Sequence, residues 1–308
     1  MIIRGKFIIL LSLVFLLLTL SSVQPAVRAQ EDVSLLDTLE FYGGPLYTRP
    51  AMTEFMDYFG EFEEAVENLF EDIEEDLEEA YEDEEIDDYE FSSSYDFPEG
   101  PVGSFGFHLG LAAENERGIR AATGYERFYV NFSGEADYNL WVSEETNEDE
   151  MIEVEEEEIF EQNIDLAINA VKAEFTIPLL LRGDNTLENF LQYFNFTAGG
   201  GYYWGSGEIE TLEEYVIELT DADGETEKEE IEEETIRNIE ADGDFGLNAG
   251  IGFSMPVYEN LTVFADVMYR FLDMDLEIEE EGIFGIETVN IEEDMSGLKF
   301  RAGLGYQF

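Results

Sequence analysis

The 308-residue chain contains no cysteine. No disulfide can therefore brace it, and no thiolate chemistry is open to it. Basic residues are scarce, with 14 Lys and Arg set against 75 Asp and Glu and a formal charge of −61. That balance excludes a nucleic-acid partner, because phosphate binding needs a basic patch. It suits cation-rich or very salty surroundings, where screening removes self-repulsion. Long apolar runs are also lacking. Beyond the first residues no segment approaches the roughly 20 apolar residues of a membrane-spanning helix.

The one apolar run that exists lies at the start. Arg4 and Lys6 precede "FIILLSLVFLLLTL", and a Ser/Pro break leads to "AVRAQED". This is the order of a signal peptide, with Val27 and Ala29 at the −3 and −1 positions of the cleavage site. An uncleaved anchor is the lesser reading, since the run is short. The expected organisation is a signal peptide over 1–29 and one exported domain over 30–308. Losing Arg4, Lys6 and Arg28 leaves 11 basic residues against 75 acidic ones, a formal charge of −64.

Past Pro101 two kinds of segment alternate. One kind has period-two apolarity with glycine and aromatics, the sign of a half-buried strand. In "DFGLNAGIGFSMPV", Phe245, Leu247, Ala249, Ile251, Phe253, Met255 and Val257 share one face. Gly246, Asn248, Gly250, Gly252 and Ser254 share the other. "GSFGFHLGLAAE", "NLTVFADVMYRF" and the terminal "LKFRAGLGYQF" repeat the design. In "IRAATGYERFYVNF" the apolar face changes near Arg127–Phe128, which calls for a bulge or the membrane edge. The second kind is acidic: "EETNEDEMIEVEEEEIFEQ" and "EIETLEEYVIELTDADGETEKEEIEEETIRNIEADGD" read as long loops. "ENERG", "RGDNTLEN" and "PVYEN" read as short connections.

Strands are expected near 39–48, 102–114, 119–138, 163–181, 189–208, 243–257, 259–278 and 295–308. The first of these, in "LEFYGGPLYT", alternates poorly and is inferred because a closed antiparallel sheet needs an even count. The insertion at 49–100 reads as acidic and partly helical. Phe55, Phe59, Phe62, Val66, Leu69, Ile73, Leu77 and Ala80 form one apolar stripe. Such a helix suits the barrel's own rim or self-pairing; a membrane-surface helix would favour Lys and Arg on its polar face.

The apolar strand faces suit lipid, and the Gly-rich faces suit a narrow interior. A basic residue on the lipid face would cost about 2–4 kcal/mol at mid-bilayer. Parity turns Arg270, Lys299 and Arg301 inward. Glu126, Lys172, Glu174 and Asp266 are expected to meet them, with Asp266 beside Arg270 on one strand, because buried charges must be paired. The fold class is thus all-β: an eight-stranded antiparallel transmembrane β-barrel with long acidic extracellular loops and one amphipathic helix in the first loop.

The signal peptide, eight strands, short turns on one side and terminal "GYQF" resemble small outer-membrane β-barrels of the OmpA/OmpX/OmpW-like group. The resemblance covers about 102–308, with 39–48 by inference. It implies a diderm, Gram-negative-type envelope and loops facing outside. It also implies that Tyr306 and Phe308 match the aromatic–X–Phe signal read by the barrel-assembly machinery. The long acidic segments and the 49–100 insertion depart from that pattern.

His108, the single histidine, faces the lumen by parity and is expected to be satisfied there. An acyltransferase-like site would need Ser and Asp beside it at the outer rim, and no motif supplies them, so no enzyme, no catalytic residue and no cofactor is expected. "DADGETEKEE" misses the spacing of a calcium loop. The acidic runs are expected to bind cations weakly at most, with no dedicated metal site. Two functions remain: a structural, surface-display barrel with outer-membrane lipid and the assembly machinery as partners, or a narrow cation-preferring porin-like channel.

Overall fold

The computed structural model describes residues 39–82, 86–98, 103–114, 118–145, 151–179, 191–221, 225–282 and 285–308. The signal peptide expected over 1–29 lies outside them. Eleven strands and one long helix follow in the order β1 (Leu39–Pro50), α1 (Thr53–Glu82), β2 (Asp88–Asp96), β3 (Ser104–Glu114), β4 (Arg120–Glu145), β5 (Met151–Pro178), β6 (Phe194–Thr220), β7 (Thr226–Tyr258), β8 (Leu261–Phe271), β9 (Asp273–Gly282), β10 (Gly285–Asp294) and β11 (Gly297–Gln307).

Eight strands close into a ring, β1–β3–β4–β5–β6–β7–β8–β11, every neighbouring pair antiparallel. β1, β3, β8 and β11 are 11 or 12 residues long, close to the roughly 9–11 residues that a tilted strand needs to cross a bilayer. β4 to β7 run for 26 to 33 residues. Their surplus, at ~3.3 Å per residue, carries on the order of 50 Å of strand beyond the ring.

These overshooting strands correct the expected acidic loops. Most of "EMIEVEEEEIFEQ" is β5, and "EIETLEEYVIELT" and "TEKEEIEEETIRNIEADGD" belong to β6 and β7. Glutamate is poor strand material by itself. The ladder nevertheless propagates upward from the membrane strands, and acids often stand opposite apolar partners. Glu156 pairs with Leu140 and Ile217, and Glu158 with Tyr138 and Tyr215. The 49–100 insertion likewise holds more than a helix, for β2 pairs with the upper part of β4. The segment expected as one strand over 259–278 divides at Leu272, where β8 ends and the chain leaves the ring as β9, which joins the upper part of β7.

Above the ring the sheet is therefore open, running β2–β4–β5–β6–β7–β9–β10. α1 touches both free edges, β2 and β10, and buries Phe55, Val66 and Phe70 inside the curl. Phe55 lies 6.0 Å from Phe132, and Phe70 lies 5.9 Å from Tyr138 and 6.2 Å from Phe91, centre to centre. The helix lies across the mouth of its own barrel. Its last turn carries no basic residue and ends in Glu78, Glu79 and Glu82, which oppose the helix dipole. Tertiary packing thus holds the helix, not its terminal charges.

One polarity inversion organises the whole barrel. On β8 and β9 the inward residues change from Asp266 and Arg270 to Leu272, Met274, Leu276 and Ile278. The outward ones change from Val267, Tyr269 and Phe271 to Asp273, Asp275 and Glu277. β5 does the same, from Lys172 and Glu174 to Ile168, Leu166 and Ile164. On β4 the inversion falls at Arg127–Phe128 without any register shift, so the membrane-edge reading holds there. β7 achieves it with a bulge, where Asp242 and Gly243 together face Trp204 and flip the inward parity. A side chain at Gly243 would collide with the Tyr202 ring.

The start of α1 is fixed by a buried acid. Pro50 ends β1, Met52 takes a left-handed φ of 52°, and the backbone N–H groups of Glu54 and Phe55 donate to Glu293 of β10 at 3.2 and 2.9 Å. Burial pushes the Glu293 carboxyl up to about 7, with Glu54 and Asp294 adding repulsion and the two N–H donors pulling the other way. Its folded value is above the ordinary 4.5, so its contribution to docking α1 is complete below that ordinary value. The contribution is lost as pH rises through about 7. Proteolysis within 49–100 is expected to be several-fold faster at pH 8 than at pH 5, and Glu293→Gln to flatten the difference. An unchanged pH profile in that variant would refute this role of Glu293.

Candidate functional site

The lumen of the membrane ring is built from alternate residues of every strand, because side chains on a strand point to opposite faces. Glu126 comes from β4, Lys172 and Glu174 from β5, Asn248 from β7, Asp266 from β8, and Lys299 and Arg301 from β11. All seven are buried. Lys172 Nζ donates to Glu126 Oε2 and lies 3.3 Å from Glu174 Oε1. Lys299 Nζ donates to the same Glu126 oxygen at 2.9 Å. Arg301 donates through Nη1 to Glu174 Oε2 at 2.7 Å and through Nη2 to Asp266 Oδ2 at 2.9 Å. Asn248 Nδ2 completes Glu174 at 2.7 Å. Lys172 joins the two halves, so one continuous network ties β4, β5, β7, β8 and β11 across the interior.

Arg270, expected beside Asp266, stands elsewhere. Four residues of strand separate them, about 13 Å at the usual rise, whereas the β8–β11 register sets Arg301 directly opposite Asp266. Arg270 instead donates through Nε to the Met295 carbonyl and through Nη2 to Thr48 Oγ1, both at 3.1 Å. Its guanidinium lies 4.3 Å from the centre of the Phe128 ring and 5.8 Å from that of Tyr203. It thus sits on the boundary between the charged lumen and the apolar core above, held by cation–π contact instead of a carboxylate.

The network needs neighbours without side chains. A Cβ at Gly252 would come within 1.9 Å of Asp266 Oδ1, and one at Gly199 within 2.7 Å of Glu174 Cγ. At the opposite end of the lumen from α1, Arg120 pairs with Glu40 at 3.2 Å and covers the Tyr42 ring at 4.7 Å. His108 is buried against Tyr42 and Phe264, with ring centres 6.0 and 5.5 Å away. Neither of its ring nitrogens has a hydrogen-bond partner among the described residues, which corrects the expectation of a satisfied histidine.

Outside the ring, Phe41, Phe105, Phe107, Leu109, Leu111, Phe245, Leu247, Ile251, Val267, Leu298, Phe300 and Leu304 are exposed and form the apolar belt. Tyr306 and Phe308 close it at the end away from α1, their rings 5.6 Å apart and edge to face. Parity reading missed Asn248 as a partner, although it stands on the glycine face of its strand. It also missed Glu40 and Tyr42, which lie in the one ring strand whose pattern is poor.

No family model matches the chain, and no curated protein matches it either. Among solved structures it is similar to Neisserial surface protein A (NspA), at 10% identity over 88% of this chain and 97% of that one, with a TM-score of 0.34. It is similar to the outer membrane protein OprG from Pseudomonas aeruginosa, at 12% identity over 88% and 95%, TM-score 0.33. Ail, the attachment invasion locus protein of Yersinia pestis, solved with the heparin analogue sucrose octasulfate, gives 11% identity over 87% and 99%, TM-score 0.30. Likenesses this distant carry no function. The closed ring of eight strands, the polar lumen and the apolar belt of this chain are themselves those of a membrane-type β-barrel.

Arg301 is the residue on which the network turns. Arg301→Leu leaves Glu174 and Asp266 without their guanidinium, and breaking a buried pair costs about 3–5 kcal/mol. The folded band in unboiled detergent gels is therefore expected to convert at a clearly lower temperature than in the parent chain. An unchanged conversion temperature would count against the network as a structural tie.

Proposed function

We propose that the protein is an outer-membrane β-barrel with a structural and surface-display role, its lumen closed by the charge network and its acidic hairpins presented outside. The observation that carries this reading is the continuous chain of contacts from Lys299 through Glu126, Lys172, Glu174 and Arg301 to Asp266. It crosses the interior at mid-membrane. Three acids meet three bases there, so no charge is left over to draw ions in. Above the network, the apolar core beneath α1 adds a second layer that water and ions do not wet.

The remaining assignments follow from this setting. The exposed apolar belt takes outer-membrane lipid. Tyr306 and Phe308, at the edge of the closing strand, serve as the signal for the barrel-assembly machinery. The acidic hairpins take cations weakly and diffusely from a salt-rich medium, which offsets their mutual repulsion. The export signal over 1–29 accounts for delivery. No step in this role requires a cofactor, a metal or catalysis.

A narrow cation-preferring channel is the competing reading, and the glycine-lined lumen is what favours it. Arg270 weighs against it, because it adds an uncompensated positive charge at the upper end of the lumen, which repels cations entering from outside. In planar bilayers the purified barrel is expected to leave the baseline flat. Discrete cation-selective conductance steps would overturn the closed-barrel function in favour of the channel.

A further inference from the structure

Outside the membrane ring, α1 and the upper β4–β5 pair enclose a crevice of about 240 Å³. Val66 and Phe70 from the helix and Tyr138 and Phe160 from the sheet make its floor, and Leu69, half-exposed, stands at its rim. The wall carries Asp137, which accepts from the Ser94 hydroxyl, and Glu158, directly across the β4–β5 register from Tyr138. The Tyr138 hydroxyl donates to Glu156 at 2.5 Å, next along the same strand face. No lysine or arginine is among the residues that line the crevice.

The local field is strongly negative. Burial and the Glu156 and Glu158 carboxylates raise the Tyr138 phenol well above its ordinary range, and burial and Glu156 raise Tyr215 alongside it. An apolar floor with aromatic rings, one open side and carboxylates without a facing base is complementary to one kind of molecule. The apolar part of such a ligand removes floor surface from water. Its positive head meets carboxylate and the faces of the rings. Anions of the same shape are repelled by the surrounding surface. The volume admits a fragment of about ten heavy atoms, below the usual ~300–1,000 Å³ of drug-sized sites.

We infer that this crevice is a binding site for a small amphiphilic organic cation, an aromatic or short alkyl group carrying one ammonium, with the ammonium against Glu158. The site depends on α1 being docked but is independent of whether the lumen conducts. It assigns the helix a purpose beyond closing the open sheet, since without α1 the floor loses half its wall.

Equilibrium dialysis of the full-length mature chain in lipid nanodiscs tests the inference, with phenethylammonium as the probe and empty nanodiscs subtracting lipid partition. Phenethylammonium is expected to bind at least about tenfold more tightly than 2-phenylethanol, and phenylacetate not to bind. Ala65→Phe, at an exposed position on the crevice rim, should abolish binding of both cation and alcohol while leaving the heat-modifiable gel shift intact. Glu158→Gln should weaken the cation several-fold, toward the affinity of the alcohol, without changing the alcohol's own; an unchanged cation affinity in that variant would also overturn the inference. Equal affinity for cation and alcohol in the parent chain would overturn the inference. So would cation binding that survives Ala65→Phe, which would mark diffuse condensation on the acidic surface.

Discussion

A charge inside a narrow barrel is tolerable only when protein groups replace its lost water, and this barrel's lumen is arranged around that constraint. Ionic groups lose water on entering the ring and regain only what their partners return. Glu126 therefore receives two ammonium groups, and Glu174 receives a guanidinium, an ammonium and an amide. The partners come from different strands, so satisfying the charges and fixing the strand register are one act. A slip by one residue would turn Lys299 and Arg301 to lipid and leave Glu126, Glu174 and Asp266 bare. Replacing such a network with well-packed apolar residues of the same volume is often neutral or stabilising. Its value lies in specifying one register and in closing the interior.

The same strands obey the opposite rule a few residues further on. In the ring, lipid outside demands an apolar belt and the crowded interior takes glycine and paired charge. Above the ring, water outside demands acids and the interior takes Ile, Leu, Met and Phe. β4 passes between the two regimes without a break, while β7 needs the extra residue at Asp242–Gly243. Arg270 marks the plane of exchange from within, bound to aromatic faces and a carbonyl. Arg127 stands near it from without, 4.9 Å from the centre of the Tyr129 ring. The upper half is thus a water-soluble, helix-filled half-barrel continuous with a membrane barrel beneath it.

How much of this could be read from the residues depended on the range of the cause. Strand parity is local, so the inward direction of Lys172, Glu174, Asp266, Lys299 and Arg301 was legible. Partnership is not local. Asp266 and Arg270 share a face, but strand rise separates them and only the β8–β11 register reveals Arg301 as the partner. The acidic hairpins misled for a related reason. Their composition argues against strands, and the ladder that overrides composition is supplied by neighbours more than 50 residues away in sequence, such as Glu156 and Ile217. The helix was visible through its stripe, but nothing in 49–100 says that Glu293, at the far end of the chain, caps it. The unpartnered ring of His108 was equally out of reach, because the Tyr42 and Phe264 rings beside it come from strands far away in the sequence.

The uneven distribution of basic residues follows from these two regimes. Water around the upper half solvates carboxylates singly, so that half needs no counter-charge, and the open sheet discourages edge-to-edge pairing by presenting like charge along its free edges, β2 and β10. The lumen has no such solvent, so each acid there requires a base. Lys172, Arg270, Lys299 and Arg301, with Arg120 at the far mouth, are placed where water cannot do the work of a cation. An excess of acid is therefore compatible with the fold because Lys172, Arg270, Lys299 and Arg301 stand in the compartment that excludes water. Moving Lys172, Lys299 or Arg301 to the surface would leave the net charge unaltered and the interior unbalanced.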